Sequence, residues 1–295
     1  MTYFGVGLDQ AADLVDTLFR HAALADEHGL DVVSVSDHPY FGDRLDAYAT
    51  ISVLLGRTRN VAGLVNVTNP ARPAPMLART LTTLSQLTNG RIILGMGAGG
   101  TWDDIARLGV PRLDPAAAVR AFAENMTVVR LLSGGGDPVT FDGEFYQLTD
   151  LAPAEAPTPP IWTGSVGPRS LAVTGRLADG WIPGRAADWQ SDRVKESRPI
   201  VDEAAAEAGR SPDDVATIYN LPGRITANPL PATRIDGRWV GGSVGQWVEE
   251  LTGAVLNHNA GGFTYFPVDD GTSRDVLFGQ WAKEIAPAVR EATRK

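Results

Sequence analysis

The sequence predicts an α/β protein, built as a single (β/α)₈ barrel domain that spans residues 1–295. Apolar, β-branched runs alternate with amphipathic helical patterns from one end of the 295-residue chain to the other. Eight strand–helix pairs follow one another, which is the number that a closed parallel barrel requires. The length also suits one barrel, since about 250 residues are typical. An open, doubly wound sheet is the alternative arrangement of the same alternation.

Each expected strand is a short apolar run, and Gly, Pro, Asn or Asp stands near most strand ends. The strands are Tyr3–Leu8, Asp31–Val35, Val61–Val67, Arg91–Met96, Ile161–Thr163, Gly180–Pro183, Val215–Asn220 and Gly262–Phe266. The segment after each strand repeats apolar residues every three to four positions, as a helix packed on a sheet does. These helices are Ala11–His28, Asp46–Leu55, Pro75–Leu87, Ala116–Leu132, Arg169–Leu177, Trp189–Ala208, Val244–Asn257 and Arg274–Glu291.

Three segments interrupt the alternation. Val139–Leu148 alternates around Asp142-Gly143, a turn pair that favours a β-hairpin, so we expect a small hairpin insertion. Ala152–Pro160 is rich in Ala and Pro and predicts an extended connector. Pro222–Gly242 is rich in Pro, Gly and Arg and predicts a mobile loop.

Composition restricts the class of partner. The formal net charge is −9 and Lys and Arg form no cluster, which argues against nucleic acid. The absence of cysteine excludes disulfides, thiolate metal sites and cysteine nucleophiles, and suits a reducing cytoplasm. No apolar run approaches the roughly 20 residues of a membrane span. The N-terminus has no basic region followed by an apolar run, so we expect no signal peptide and a cytoplasmic protein.

Histidine gives the first candidate for chemistry. Of the four histidines only His38 falls at the end of an expected strand, directly after Asp37, and none has a metal-binding spacing. In a barrel, the C-terminal ends of the strands carry the active site, and imidazole has an ordinary pKa close to neutrality. We therefore predict catalytic roles for His38 and Asp37 and no metal site. The simpler interpretation is that both residues only end the strand and begin a loop.

Two expected strands run into turns of small residues. Gly97–Gly100 follows the fourth strand, and Gly164–Gly167 lies between the fifth strand and a helix. Glycine lets backbone N–H groups approach an anion, and a helix N-terminus attracts negative charge. Both turns therefore suit a phosphate group. The alternatives are a tight turn without a ligand at the first and a helix cap by Ser165 at the second.

The first turn also matches a weaker motif. Gly95, Gly97 and Gly100 fit G-x-G-x-x-G, but Pro111 and Pro115 separate them from the next long helix, which disfavours a dinucleotide-binding fold. Trp102-Asp103-Asp104 follows and could bind a substrate or exchange protons. The simpler interpretation is a helix cap by Asp103.

Five short segments occur along the chain in this order: Ser36–His38, Val65–Thr68, Gly90–Gly99, Gly164–Pro168 and Ala178–Ile182. Together they resemble the bacterial luciferase-like oxidoreductases, a barrel family that uses FMN or the deazaflavin coenzyme F(420). The resemblance covers about residues 3–185 well and the last third loosely. The Ser-Asp-His form is similar to that of the F(420)-dependent branch.

The resemblance implies a site at the barrel mouth. The cofactor ring would rest against a non-prolyl cis peptide between Asn66 and Val67, and the two glycine-rich turns would hold its phosphate. His38 and Asp37 would contact the polar edge of the ring or the reacting centre. The implied cofactor-binding residues are Asp37, His38, Asn66, Val67, Thr68, Gly97, Ala98, Gly99, Gly164, Ser165, Val166 and Gly167.

The resemblance also implies an enzyme: a homodimeric oxidoreductase that moves a hydride between F(420) and a small organic substrate. The alternatives are an FMN-dependent monooxygenase that uses dioxygen and a partner reductase, and a non-catalytic flavin-binding barrel. A metal-dependent hydrolase fits poorly, because His and Asp do not cluster.

One departure from the family pattern bears on the substrate. Gly100 stands where the F(420)-dependent glucose-6-phosphate dehydrogenases carry Glu, and Ala98 stands where they carry Thr. The acid proposed for sugar oxidation is therefore missing, and we expect a different substrate. The related methylene-tetrahydromethanopterin reductases also use an acid in this loop, which argues against that substrate too.

Overall fold

The computed structural model describes residues 2–294. Eight parallel strands form a closed barrel, in which each strand pairs with its neighbours in chain order and the last pairs with the first. The strands are β1 (Tyr3–Gly7), β2 (Val32–Val35), β3 (Ala62–Thr68), β4 (Ile92–Met96), β5 (Ile161–Thr163), β6 (Gly180–Trp181), β7 (Ala216–Thr226) and β8 (Ala260–Pro267). This arrangement confirms the predicted (β/α)₈ barrel and excludes the open sheet.

Helices connect the strands and cover the outside of the barrel. They are α1 (Val15–Glu27), α2 (Ala47–Arg57), α3 (Ala74–Thr88), α4 (Trp102–Ala106), α5 (Pro115–Leu131), α6 (Pro168–Leu177), α7 (Asp192–Glu207), α8 (Val244–His258), α9 (Arg274–Gln280) and α10 (Ala286–Ala292). The last predicted helix is not continuous, because a π-helical turn, Trp281–Ile285, separates α9 from α10. No helix among residues 2–294 combines the length and apolar character needed to cross a membrane.

The hairpin insertion is confirmed. Val139–Asp142 pairs antiparallel with Gln147–Leu151 after α5, as the Asp-Gly turn predicted. The extended connector then leads into β5.

The segment predicted as a mobile loop, Pro222–Gly242, is largely folded. Its first part continues β7, a short antiparallel ladder joins Arg234 to Trp239, and its end pairs in parallel with β7. Arg234 donates to Asp188 at 2.6 Å and also contacts Glu250. These long-range contacts outweigh the local preference of Pro and Gly for irregular backbone.

The core has two layers, as a barrel requires. The larger cluster lies between strands and helices and includes Phe4, Trp247 and Trp281, all buried. A smaller cluster contains only residues on or directly after the strands. Along each strand these residues alternate with those of the first layer, so their side chains point inward and fill the barrel interior. Its buried members are Val32, Leu64, Ile93, Trp162, Ile182 and Ile218.

The C-terminal end of β3 is irregular. The peptide bond between Asn66 and Val67 is cis, as the family resemblance implied. The pairing of β3 with β4 shifts register between Val65 and Thr68. This bulge places Val67 at the mouth of the barrel, between the turns that follow β4 and β5.

Candidate functional site

A cavity of about 430 Å³ opens at the C-terminal ends of β2 to β5. It brings together the Asp-His pair, the end of β3 and both glycine-rich turns. Eleven of the twelve predicted cofactor-binding residues line it: Asp37, His38, Val67, Thr68, Gly97, Ala98, Gly99, Gly164, Ser165, Val166 and Gly167. The twelfth, Asn66, is turned toward Asn220, with 3.5 Å between their side-chain amides. The binding roles of these residues stay predictions.

A larger cavity, of about 790 Å³, lies at the opposite end of the barrel. Its lining includes Asp213, Asn259 and Arg290 and none of the predicted site residues. Barrel enzymes carry out their chemistry at the C-terminal face of the strands, so the smaller cavity is the better candidate.

The side chain of Val67 packs closely against two of the glycines. A Cβ atom on Gly97 would lie 3.0 Å from Val67 Cγ2, and a Cβ on Gly164 would lie 3.1 Å from Val67 Cγ1. Gly164 also donates its N–H to the Met96 carbonyl at 2.8 Å. The two turns therefore lie on either side of one valine side chain and converge on one side of the cavity.

The two turns offer backbone donors. The N–H groups of residues 97–100 and 165–167 donate to no acceptor within the described chain. Buried N–H groups are nearly always paired within a folded protein, whereas N–H groups beside an open cavity are free to bond water or a ligand. Helix α6 begins at Pro168, directly after the second turn, so its positive end adds to the attraction for an anion.

The helix-cap interpretation of Ser165 is wrong. The residue that caps α6 is Gly167, without a side-chain hydrogen bond. Ser165 is buried, and its hydroxyl lies 2.8 Å from that of Thr174. The indole of Trp181 donates to the Ser165 carbonyl at 2.9 Å. These contacts hold the turn after β5 against α6 and β6, and they leave the backbone N–H groups of the turn unpaired.

His38 lies partly buried at one side of the cavity. Its Nδ1 is 2.7 Å from the Tyr40 hydroxyl, which is 2.9 Å from Thr101 Oγ1. This chain of hydrogen bonds joins the loop after β2 to the loop after β4. Burial lowers the pKa of His38, the positive charge of Arg44 lowers it further, and Asp37 and Asp104 partly oppose the change. The ring is therefore neutral at neutral pH and able to accept a proton.

Asp37 also makes structural hydrogen bonds that the sequence did not predict. Its carboxylate accepts two hydrogen bonds of 2.7 Å from Arg72 and one of 2.8 Å from the Asn69 N–H, and its side chain is 1% exposed. Arg72 also bonds Asp46 at 2.7 Å and lies over the Tyr48 ring. Burial alone would lower the pKa of Arg72, but hydrogen bonds and charge from both aspartates raise it above its ordinary value. Asp37 thus braces the loop after β2 against the loop after β3.

Sequence reasoning missed Arg72, Tyr40 and Thr101. Tyr40 lies two residues from His38, and a hydroxyl so close to a candidate imidazole could have been noted. Arg72 follows the polar end of β3, and the neighbouring strand β2 is followed by the buried carboxylate of Asp37. A buried carboxylate needs a cation as its partner. Neither pairing follows from spacing alone, because each depends on the path of a loop.

The predicted cap of the helix after β4 is also wrong. Helix α4 begins at Trp102 with Thr101 at the N-cap position, and no side chain caps it. Asp103 is inside the first turn and contacts Arg112 at the surface. Within residues 2–294 no group of three or more His, Asp or Glu side chains is placed to hold a metal ion.

Residues 1–232 match the model of the luciferase-like monooxygenase family. The chain belongs to this family. Among curated relatives, the F(420)-dependent glucose-6-phosphate dehydrogenase of Microbacterium testaceum is 30% identical over an alignment of 230 residues, which covers 74% of this chain and 66% of that protein. The 5,10-methylenetetrahydromethanopterin reductase of Methanolobus tindarius is 30% identical over 69% of this chain and 60% of its own length. This chain therefore matches less than two thirds of either relative.

A solved structure supports the fold of the family. An F(420)-dependent secondary alcohol dehydrogenase in complex with an F(420)–acetone adduct superposes with a TM-score of 0.77. The two chains are 20% identical, and the match covers 98% of this chain and 99% of that one. The match to the family model confirms the family resemblance stated from five short motifs.

Proposed function

We propose that this protein is an oxidoreductase that uses coenzyme F(420) to move a hydride to or from a small organic substrate. The observation that carries the proposal is the convergence of two glycine-rich turns, with unpaired N–H groups, on either side of Val67. The name of the 30% identical relative from Microbacterium testaceum supports F(420) rather than FMN.

The cavity offers backbone donors for a phosphate group and an apolar side chain for a flat ring. The N–H groups of residues 97–99 and 165–167 would hold its phosphate, and Val67 would support its ring. F(420), when bound, supplies the hydride chemistry. The chain itself binds and orients the cofactor, and His38 exchanges the proton that the substrate loses or gains. Neutral His38, with Nδ1 on the Tyr40 hydroxyl, keeps its other ring nitrogen for this exchange.

We propose that the substrate is neither glucose-6-phosphate nor methylene-tetrahydromethanopterin. Gly100 lines the cavity, and a Cβ at this position would meet no heavy atom within 4 Å. A glutamate would therefore have room, and its absence is a difference in chemistry rather than in space. We expect no turnover of glucose-6-phosphate with F(420), measured by the loss of cofactor absorbance, while a panel of small alcohols and carbonyl compounds gives at least one substrate.

Titration with both cofactors tests the proposal. We expect F(420) to bind saturably, and FMN to bind at least tenfold more weakly, when cofactor fluorescence is followed. A turnover assay with the same alcohol panel separates an enzyme from a barrel that only binds a flavin. Tighter binding of FMN than of F(420) would instead support the monooxygenase alternative.

Filling the space beside Val67 is expected to weaken cofactor binding. In Gly164→Val the added methyl groups displace Val67, so we predict that the Kd for F(420) rises at least tenfold. Gly42→Val is the matched control, since a Cβ at Gly42 meets nothing within 4 Å. Equal Kd values for the two variants would show that the cofactor does not bind beside Val67.

The charge state of His38 can be measured without a substrate. Since burial and Arg44 both lower its pKa, we expect the titration midpoint of its imidazole to lie below the ordinary value for histidine. In Arg44→Gln one opposing charge is gone, so the midpoint should move to higher pH. Nitrogen-15 NMR of labelled histidine reports this midpoint, and an unchanged value in Arg44→Gln would contradict the assignment.

We also propose that the chain works as one barrel domain in a homodimer. The faces of α2 and α3 expose Val53, Met76 and Leu87 at 46%, 65% and 77%. Exposed apolar side chains grouped on adjoining helices are typical of protein interfaces. Sedimentation equilibrium should give twice the 31.4 kDa chain mass, and Leu87→Glu should shift the protein toward the monomer.

A further inference from the structure

A second cavity, of about 420 Å³, lies behind the turn that follows β4. Helix α5, the connection from α4 to α5 and the hairpin insertion enclose it. Three of its lining residues, Pro70, Gly97 and Ala98, also line the candidate cofactor cavity, so the two spaces are back to back. Trp102 belongs to this shared wall, since a Cβ on Gly99 would lie 2.9 Å from its indole nitrogen.

The lining of the second cavity is apolar and aromatic. Trp102, Phe122, Phe145 and Tyr146 contribute rings, and none of its lining residues carries a charged side chain. Its volume falls within the range of small-molecule sites. The space therefore suits a neutral molecule with a flat, apolar body.

Two polar atoms in this lining have no partner. Asn125 is 4% exposed and lies beside the Tyr146 side chain, but its side-chain oxygen accepts no hydrogen bond; the indole nitrogen of Trp102 is buried and donates none. Leaving a buried polar atom unpaired is unfavourable, and each case in a native protein calls for an explanation. A ligand hydroxyl that donates a hydrogen bond to the Asn125 oxygen would explain why this atom has no partner in the chain itself.

We propose that this second cavity is a binding site for a neutral aromatic molecule with one hydroxyl group. The aromatic body packs among Phe122, Phe145 and Tyr146, and the hydroxyl bonds Asn125. The site adjoins the proposed cofactor site across the wall formed by Pro70, Gly97 and Ala98, and it does not require a bound cofactor. This proposal goes beyond the redox function, because it assigns a second ligand to the cavity beside the hairpin insertion.

The test uses the full chain without cofactor and two probes, 2-naphthol and naphthalene. Calorimetric titration should show saturable binding of both, with 2-naphthol bound about fivefold more tightly, as one neutral hydrogen bond provides. In Asn125→Leu the preference should disappear while naphthalene still binds. Because these measurements contain no F(420), they succeed or fail independently of the proposed redox function.

Two substitutions at one position locate the probes. Ala121 lines the cavity, and Ala121→Trp should abolish the binding of both, whereas Ala121→Ser should leave it within about twofold of the unaltered protein. Circular dichroism confirms that each variant is folded. The proposal is overturned if the unaltered protein binds neither probe, if folded Ala121→Trp binds both as before, or if Asn125→Leu keeps the preference for 2-naphthol.

Discussion

Replacing Arg72 with methionine is expected to lower the free energy of unfolding by about 3–5 kcal/mol, since the Asp37 carboxylate would remain buried without its cation. Methionine keeps most of the apolar stem of arginine, so the loss reports the charge and its hydrogen bonds. Urea denaturation followed by circular dichroism measures it. The double variant Asp37→Asn with Arg72→Met should recover part of the stability, because the unpaired charge is then absent.

Arg112→Met is the matched control for Arg72. Arg112 also pairs with an aspartate, but the side chains of Arg112 and Asp103 are 61% and 86% exposed. An exposed ion pair contributes less than about 1 kcal/mol, so this variant should unfold almost as the unaltered protein does. Equal losses in the two variants would mean that Asp37 is not held by a buried pair and that the two loops are not braced through it.

Replacing His38 with alanine is expected to lower kcat by about 10²–10⁴-fold, the usual contribution of a positioned acid–base group. The Kd for F(420) should change by less than about threefold, because the phosphate donors are backbone N–H groups on other loops. Tyr40→Phe should have a smaller effect on kcat, since it removes only the partner of Nδ1. Stopped-flow measurement of cofactor oxidation or reduction, with a substrate from the alcohol panel, gives kcat directly.

The cofactor titration is the control for the His38 experiment. If turnover by His38→Ala is unchanged while F(420) still binds, His38 takes no part in proton exchange. If both kcat and cofactor affinity collapse together, the imidazole acts in binding rather than in chemistry. Tyr40→Phe then distinguishes a ring that must be held in one orientation from a ring that only fills space.

The barrel itself could be predicted from the sequence because its signals are local. Each strand is a short apolar run with turn residues nearby, and each helix repeats apolar residues at its own period. The same holds for the hairpin, where Asp142-Gly143 sets the turn. The convergence of the two glycine-rich turns also followed, because parallel strands of a barrel all end on the same face.

Features that depend on distant partners could not be predicted in this way. Pro222–Gly242 looks irregular by composition, yet Arg234 anchors it to Asp188 and Glu250 on other elements. The structural role of Asp37 depends on Arg72, which is 35 positions away in the sequence. The path of the loop after β3 brings the two side chains into contact. The sequence indicates which residue types could form a site, but the paths of the loops determine which of those side chains already have a partner.

A crystal structure of the complex with F(420) tests the central claim most directly. The account predicts that the phosphate density lies between Gly97–Gly99 and Ser165–Gly167, within hydrogen-bond distance of backbone N–H groups from both turns, with the deazaflavin ring against Val67. Phosphate density at only one turn, or at another cavity such as the one beside Arg290, would contradict it.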